Sequence, residues 1–225
     1  MMYETPKDTF PKNQEILRFC ATGGSVSLLL YHGSETVRKI EDIKIPGPRE
    51  RCDFGQGFYL AESKHTAEEW VIRESTPIIN SYFFSAPPKD ILYLSGEDWI
   101  RVVVGFRTGK YRIKFTSPII HGLIANDRMD IALAAFMDGT LGDKRLLESL
   151  NYCKLGAQFL LRQSTKYLTS HEHKDLKGAE LQRAQARWMS RRRGMNDYVK
   201  RLCRKPVIGE KYIEDYIAGG DYIET

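Results

Sequence analysis

Six short apolar runs constrain what this chain can fold into. "SVSLLLYH" from Ser25, "FYLAE" from Phe58, "PIINSYFFS" from Pro77, "DILYLS" from Asp90, "SPIIHGLI" from Ser117 and "AQFLLRQST" from Ala157 are of strand length. They are rich in β-branched and aromatic residues and lack helical spacing. Helical patterns fall between some of them and not others. One opens at Ser63, a plausible N-cap, with Ala67, Trp70 and Val71 on a face; a second runs through Trp99, Val102, Val103 and Phe106 and ends near Gly109. "RMDIALAAFMDG" and the stretch holding Leu146, Leu147 and Leu150 supply two more. The regular βαβ alternation of a doubly wound parallel sheet is missing, so an α+β fold is expected.

At 225 residues, 42% hydrophobic and 28% charged, the chain has the make-up of a globular protein rather than a disordered one. No stretch approaches the roughly 18 continuous apolar residues of a membrane helix, and the N-terminus lacks the apolar core and small-residue cleavage site of a secretory signal. A cytoplasmic protein with no membrane partner is expected. Its organisation reads as a lead segment over 1–27, one main domain over 28–174 and a helical extension over 175–225. Cys20, Cys52, Cys153 and Cys203 are scattered without metal-ligand spacing and read as reduced thiols. His171 and His173, in "SHEHKD", read as solvated loop; chelation is the alternative, and no metal site is expected.

Charge is unevenly distributed. The net +5 conceals a local +8 over residues 176–205, where only Glu180 and Asp197 oppose ten Lys and Arg, and a local −4 over 206–225. The main domain is close to neutral. Leu181, Ala184, Trp188, Met195, Val199 and Leu202 fall near one helical face, interrupted by "SRRRG". With Trp188 and Tyr198 interleaved, this segment suits a nucleic acid, an acidic or inhibitory protein such as an antitoxin, or a solvated face of a packed helix.

Two stretches suggest chemistry. "YHGS", Tyr31 to Ser34, offers an imidazole, an unhindered backbone and a hydroxyl where the first strand ends. "CDFGQGFYLAES", from Cys52, contains neither a phosphate-cradling G-x-x-x-x-G-K-[ST] loop nor a dinucleotide G-x-G-x-x-G fingerprint. Gly55 and Gly57 instead hand over to Phe58 and Tyr59, which puts an aromatic at the edge of a turn. A half-buried, hydrogen-bonded strand tyrosine explains Tyr59 equally well.

"YHGS" followed by "DFGQGFYLAES" resembles the NAD-binding half of the ADP-ribosyltransferase superfamily, in its His-Tyr-Glu branch of diphtheria-type toxins and poly-ADP-ribose polymerases. Five motifs in order, "YHGS", "DFGQGFYL", "EDWIRVVVGFR", "GLIAND" and "GAQFLLRQS", resemble a bacterial family of uncharacterised, often toxin-like transferase domains, over roughly Leu28 to Glu172. The resemblance implies a split β-sheet core with flanking helices, and NAD+ as co-substrate. It implies that His32 bonds the ribose or adenosine side of NAD+, that Gly33 and Ser34 hold the nicotinamide amide, and that Tyr59 stacks on the nicotinamide ring, with Phe54, Gly55 and Gly57 shaping its approach.

The family's third signature is a glutamate at the start of a late strand, and here that position holds Gln158. A glutamine can bond a ribose hydroxyl but supplies neither charge nor a base. Gly156, two residues upstream, leaves the Glu-x-Glu arrangement of arginine-specific toxins absent too. Asn126 and Asp127 close a strand and open a helix, so Asp127 is a compensating carboxylate or a helix cap, and Arg128 a pyrophosphate partner or a solvated cation. The resulting expectation is a mono-ADP-ribosyltransferase with a protein or nucleic-acid acceptor. The alternatives are an NAD glycohydrolase, a degenerate binding module and an NAD-dependent RNA-modifying enzyme.

Overall fold

The computed structural model describes residues 24–47, 51–110, 112–125, 131–203, 207–218 and 222–224. Nine strands and six helices occur among them: β1 (Val26–Ser34), β2 (Phe58–Ala61), α1 (Lys64–Val71), β3 (Ile78–Ala86), β4 (Ile91–Tyr93), α2 (Gly96–Thr108), β5 (Arg112–Lys114), β6 (Ile119–Leu123), α3 (Ile131–Met137), α4 (Asp143–Cys153), β7 (Ala157–Leu161), β8 (Leu168–Asp175), α5 (Gly178–Leu202), α6 (Ile213–Ile217) and β9 (Tyr222–Glu224). Seven strands form one sheet in the order β4-β6-β7-β2-β1-β3-β8. Only β4 and β6 run parallel within it; the other pairings are antiparallel. The mixed α+β class follows, without βαβ repetition.

The alternation of each strand divides the core in two. Tyr59 and Ala61 of β2 and Leu160 of β7 face one side, where Ala67, Val71, Trp99, Val103, Phe136, Leu146 and Trp188 from five helices close over them. Leu30, Phe58, Leu60, Phe159 and Leu161 face the other, where Ile40, at the start of a short 3-10 turn, Ile43 and Ile45 from the segment after β1 pack as a strap. Trp99 anchors the helical layer, fully buried, with its indole N–H donated to the Leu123 carbonyl at 2.9 Å.

Three expectations change. The first strand does not stop at His32 but runs through Ser34, because β3 pairs with it to the last residue, Ser34 opposite Ile78. "SHEHKD" is not a loop: it is most of the edge strand β8, paired with β3 through His173 opposite Asn80. The "SRRRG" stretch does not interrupt the tail, since α5 continues for 25 residues. Its Ala184, Trp188, Met195 and Val199 are buried in the same cluster as α1–α4, so residues 178–202 pack as part of the helical layer. No helix among the described residues is long and apolar enough to cross a membrane.

Candidate functional site

His32 and Tyr59 occupy neighbouring antiparallel strands, with Tyr31 opposite Ala61. The imidazole Nδ1 donates to the Tyr59 carbonyl at 2.8 Å. A carbonyl only accepts, so Nδ1 carries a proton in this bond. The ring lies 4.5 Å from that of Phe58. Phe58 and Tyr59 are consecutive strand residues and project to opposite faces. The His32 ring is thus on the strap side with Phe58, and the Tyr59 ring on the helical side near Phe54, 6.4 Å between centroids. The structure brings the two residues together through the backbone and sends their rings to opposite sides of the sheet.

The Tyr59 phenol is held at both lone pair and proton. It donates to the Gly55 carbonyl at 2.7 Å and accepts from the Phe54 N–H at 3.0 Å. Burial, with the neighbouring Asp53 and Cys52, raises its pKa well above the usual phenol value, so it acts as a neutral donor. Gly55 must be glycine twice over: its φ is +81°, and a Cβ there would sit 2.5 Å from the Phe106 ring. Gly57 opens β2. Gly33 has a different requirement, since a Cβ would fall 2.3 Å from the Ala67 carbonyl oxygen and 2.7 Å from Val71 Cγ1. The close approach of α1 to β1 accounts for that glycine by packing alone.

Gln158 is buried, and its amide NH2 donates to Asp53 Oδ2 at 2.8 Å. The same oxygen accepts from the Ala125 N–H at 3.0 Å, and the Arg107 guanidinium bonds Asp53 Oδ1. Asp53 is therefore a buried junction for three donors carried by α2, the end of β6 and the start of β7. It draws four of the motifs together: "DFGQGFYL" brings the carboxylate, "EDWIRVVVGFR" the arginine, "GLIAND" the backbone donor and "GAQFLLRQS" the glutamine. "YHGS" joins through the His32–Tyr59 bond. Asp53 was missed in the sequence reading; the available signal was a carboxylate directly ahead of a two-glycine turn.

Ser34 is engaged by its own strand end. Its hydroxyl donates to the Thr36 carbonyl at 2.5 Å and accepts from Asn80 Nδ2 at 3.0 Å. The fully buried Asn80 also accepts from the Arg38 N–H at 2.8 Å and from His171 Nε2 at 3.0 Å, fastening the strap to β1 and β8. The His171 pKa is lowered by burial and by His173, whose ring stacks on it at 5.8 Å. A second pair also escaped the sequence reading: His121 Nε2 and Glu62 Oε1 lie 2.8 Å apart, with Tyr93 packed 5.1 Å from the imidazole. Asn126, Asp127 and Arg128 lie outside the described residues.

The basic tail is turned partly inward. Arg187 pairs with Glu68, Arg191 with Glu69 at 3.2 Å, and Arg73 and Arg192 stack over Trp188 at 4.5 and 5.2 Å. Both glutamates belong to α1, immediately after the strand of Tyr59.

Clefts open among the described residues at two places, among others. Phe54, Gln56, Pro46, Phe106, Ile113 and Arg162 line one, and the other lies by Tyr31, Lys64 and the edge strand β8. Of the residues that the resemblance assigns to NAD+, Phe54 lines the first; Tyr31 of "YHGS" and His173 line the second.

Residues 28–172 of the chain match the model of a family described as protein of unknown function, DUF3990. No curated protein and no solved structure matches the chain.

Proposed function

The chain belongs to the DUF3990 family, and from the site it carries we propose that it is a mono-ADP-ribosyltransferase of the cytoplasm, with the split-sheet fold of that superfamily and NAD+ as co-substrate. In this reading the bond between nicotinamide and ribose C1′ breaks, its electron pair leaves with nicotinamide, and an acceptor lone pair attacks the resulting oxocarbenium-like carbon and gives its proton to solvent or base. The protein contributes by holding the dinucleotide and stabilising charge rather than by covalent chemistry. His32 offers its imidazole to a ribose hydroxyl; Tyr59 offers an aromatic face. Their rings stand on opposite faces of β1 and β2, so no pocket on one face is lined by both.

The observation that carries the reading is the convergence of all five motifs on two hydrogen-bonded junctions, His32 with Tyr59 and Asp53 with Gln158. A buried ionic network is a poor way to gain stability compared with apolar packing. Here it fastens both flanks of the Gly55–Gly57 turn and so fixes the backbone that carries Tyr59, which is what a preorganised site requires. Gln158, spent on Asp53, supplies no base to an acceptor hydroxyl, so the reading covers single transfer and excludes chain elongation.

A second reading, a module that binds NAD+ or a partner without turnover, is favoured by that same commitment of Gln158 and by the full hydrogen bonding of the Tyr59 phenol. Labelled NAD+ incubated with the protein and a cell lysate separates them. Label on protein or nucleic acid, lost in His32→Ala and Tyr59→Ala and reduced in Gln158→Ala, supports transfer; free ADP-ribose supports hydrolysis; bound, unconverted NAD+ supports the module. No binding and no conversion overturns all three.

A further inference from the structure

The cleft beside the Gly55–Gly57 turn is lined by Phe54 and Gln56 of that segment but not by His32, Tyr59 or Gln158. It is an open cleft of about 490 Å³, within the roughly 300–1,000 Å³ typical of small-molecule sites. It sits at the opposite end of β7 from Gln158: Arg162 follows Leu161, which pairs with Phe58, whereas Gln158 pairs with Ala61. At about 3.3 Å per residue, the two ends are roughly 13 Å apart.

Arg162 gives the cleft its chemistry. Its Nη1 donates to the carbonyls of Phe115 and Ser117 at 3.1 and 3.0 Å, and its guanidinium lies 5.0 Å over the Phe115 ring. Those contacts fix the plane of the group without neutralising it, and no carboxylate among the described residues pairs with it. Burial disfavours the charged form and lowers its pKa, yet a guanidinium remains protonated in proteins. A half-buried cation, planar and held by carbonyls, is a fork for an anion. Next to it the stack continues: Phe115 lies 5.7 Å from the half-buried Phe106 at an interplanar angle of 27°. Pro46 and Ile113 complete an apolar wall.

We propose that this cleft is a second binding site, for a small ligand with a planar aromatic ring that rests on Phe106 and Pro46 and an anionic group, carboxylate or phosphate, that is taken by Arg162. The proposal is independent of the transferase reading, for it uses neither His32 nor Tyr59. It has one consequence for the turn: Phe54 lines the cleft and donates its N–H to the Tyr59 phenol, so an occupant presses on the segment that holds that ring.

The test is titration of the full chain, without NAD+, followed by amide NMR shifts. AMP and adenosine form one pair of probes, 4-hydroxybenzoate and 4-hydroxybenzamide the other; which anion binds tells phosphate from carboxylate. At least one anion should bind with a Kd below about 1 mM, tenfold or more tighter than its uncharged counterpart, and weaken with added salt. Arg162→Gln should abolish that gap, and Ile113→Trp, which fills the cleft and keeps the arginine, should abolish binding even if the first variant proves unstable. Failure of both anions to saturate, equal affinity for charged and uncharged probes, or unchanged binding in Ile113→Trp overturns the proposal.

Discussion

Replacing Gln158 by glutamate would install the residue that the resemblance to the transferases calls for at this position, and the structure predicts that it harms this protein. The amide nitrogen is 2.8 Å from Asp53 Oδ2. A carboxylate oxygen in its place would put two like charges at that distance, a repulsion of about 6 kcal/mol at an effective dielectric of about 20. The pair escapes by sharing a proton, which limits the cost: holding a carboxyl of ordinary pKa about 4.3 protonated at pH 7 takes about 3.7 kcal/mol. With Arg107 still present, a loss of about 2–4 kcal/mol at pH 7 is expected. For a chain of this size that lowers Tm by roughly 4–16 °C. The sign follows from linkage. The new group's folded pKa is raised above its unfolded value, so the variant matches wild type below about pH 4 and loses stability as pH rises toward the folded pKa. Urea unfolding of both proteins from pH 4 to pH 8 measures the difference. A Gln158→Glu variant as stable as wild type at pH 8, or a deficit that does not change with pH, would refute the assignment of Asp53 as the partner that dictates glutamine here.

Three further outcomes are expected. Gly33→Ala should destabilise by about 1–3 kcal/mol, because the Cβ meets the α1 backbone rather than a yielding side-chain tip; unchanged thermal unfolding would leave Gly33 without its packing role. Tyr59→Phe removes two hydrogen bonds from a buried hydroxyl and should cost about 1–3 kcal/mol, and a Tm equal to wild type would show that the turn is held by other means. Glu69 is buried, and burial raises its pKa above 4.5 against the opposing pull of Arg191 and Arg187. Its contribution is therefore greatest below that value and declines as pH rises through the folded pKa, so Glu69→Gln should gain on wild type in going from pH 4 to pH 8, and a constant difference would contradict this.

The sheet was legible because its strands are apolar runs that no helical pattern explains; "AQFLLRQST" and "PIINSYFFS" become β7 and β3 with small changes of boundary. The edge strand was not, since every exposed position of "SHEHKD" is polar and only pairing with β3 makes it a strand. Nor was the continuity of α5, because within "SRRRG" Arg191 pairs with Glu69, over 100 residues earlier in the chain, and Arg192 stacks over Trp188. The prominence of His32, Tyr59 and Gln158 could be read from the motifs. Their mutual geometry could not, for it depends on Asp53, an unremarked residue whose three donors come from positions 107, 125 and 158. Spatial convergence of that kind leaves no local trace.

The closure of the helical layer by α5 bears on how the molecule is made. Arg187 and Arg191 reach partners 119 and 122 positions away, and Trp188 caps a cluster that begins at Phe54. A nascent chain leaving the ribosome cannot complete that layer until α5 has emerged, and such high contact order slows folding. Until then the apolar side of the seven-stranded sheet stays open to chaperones, to aggregation and to proteases.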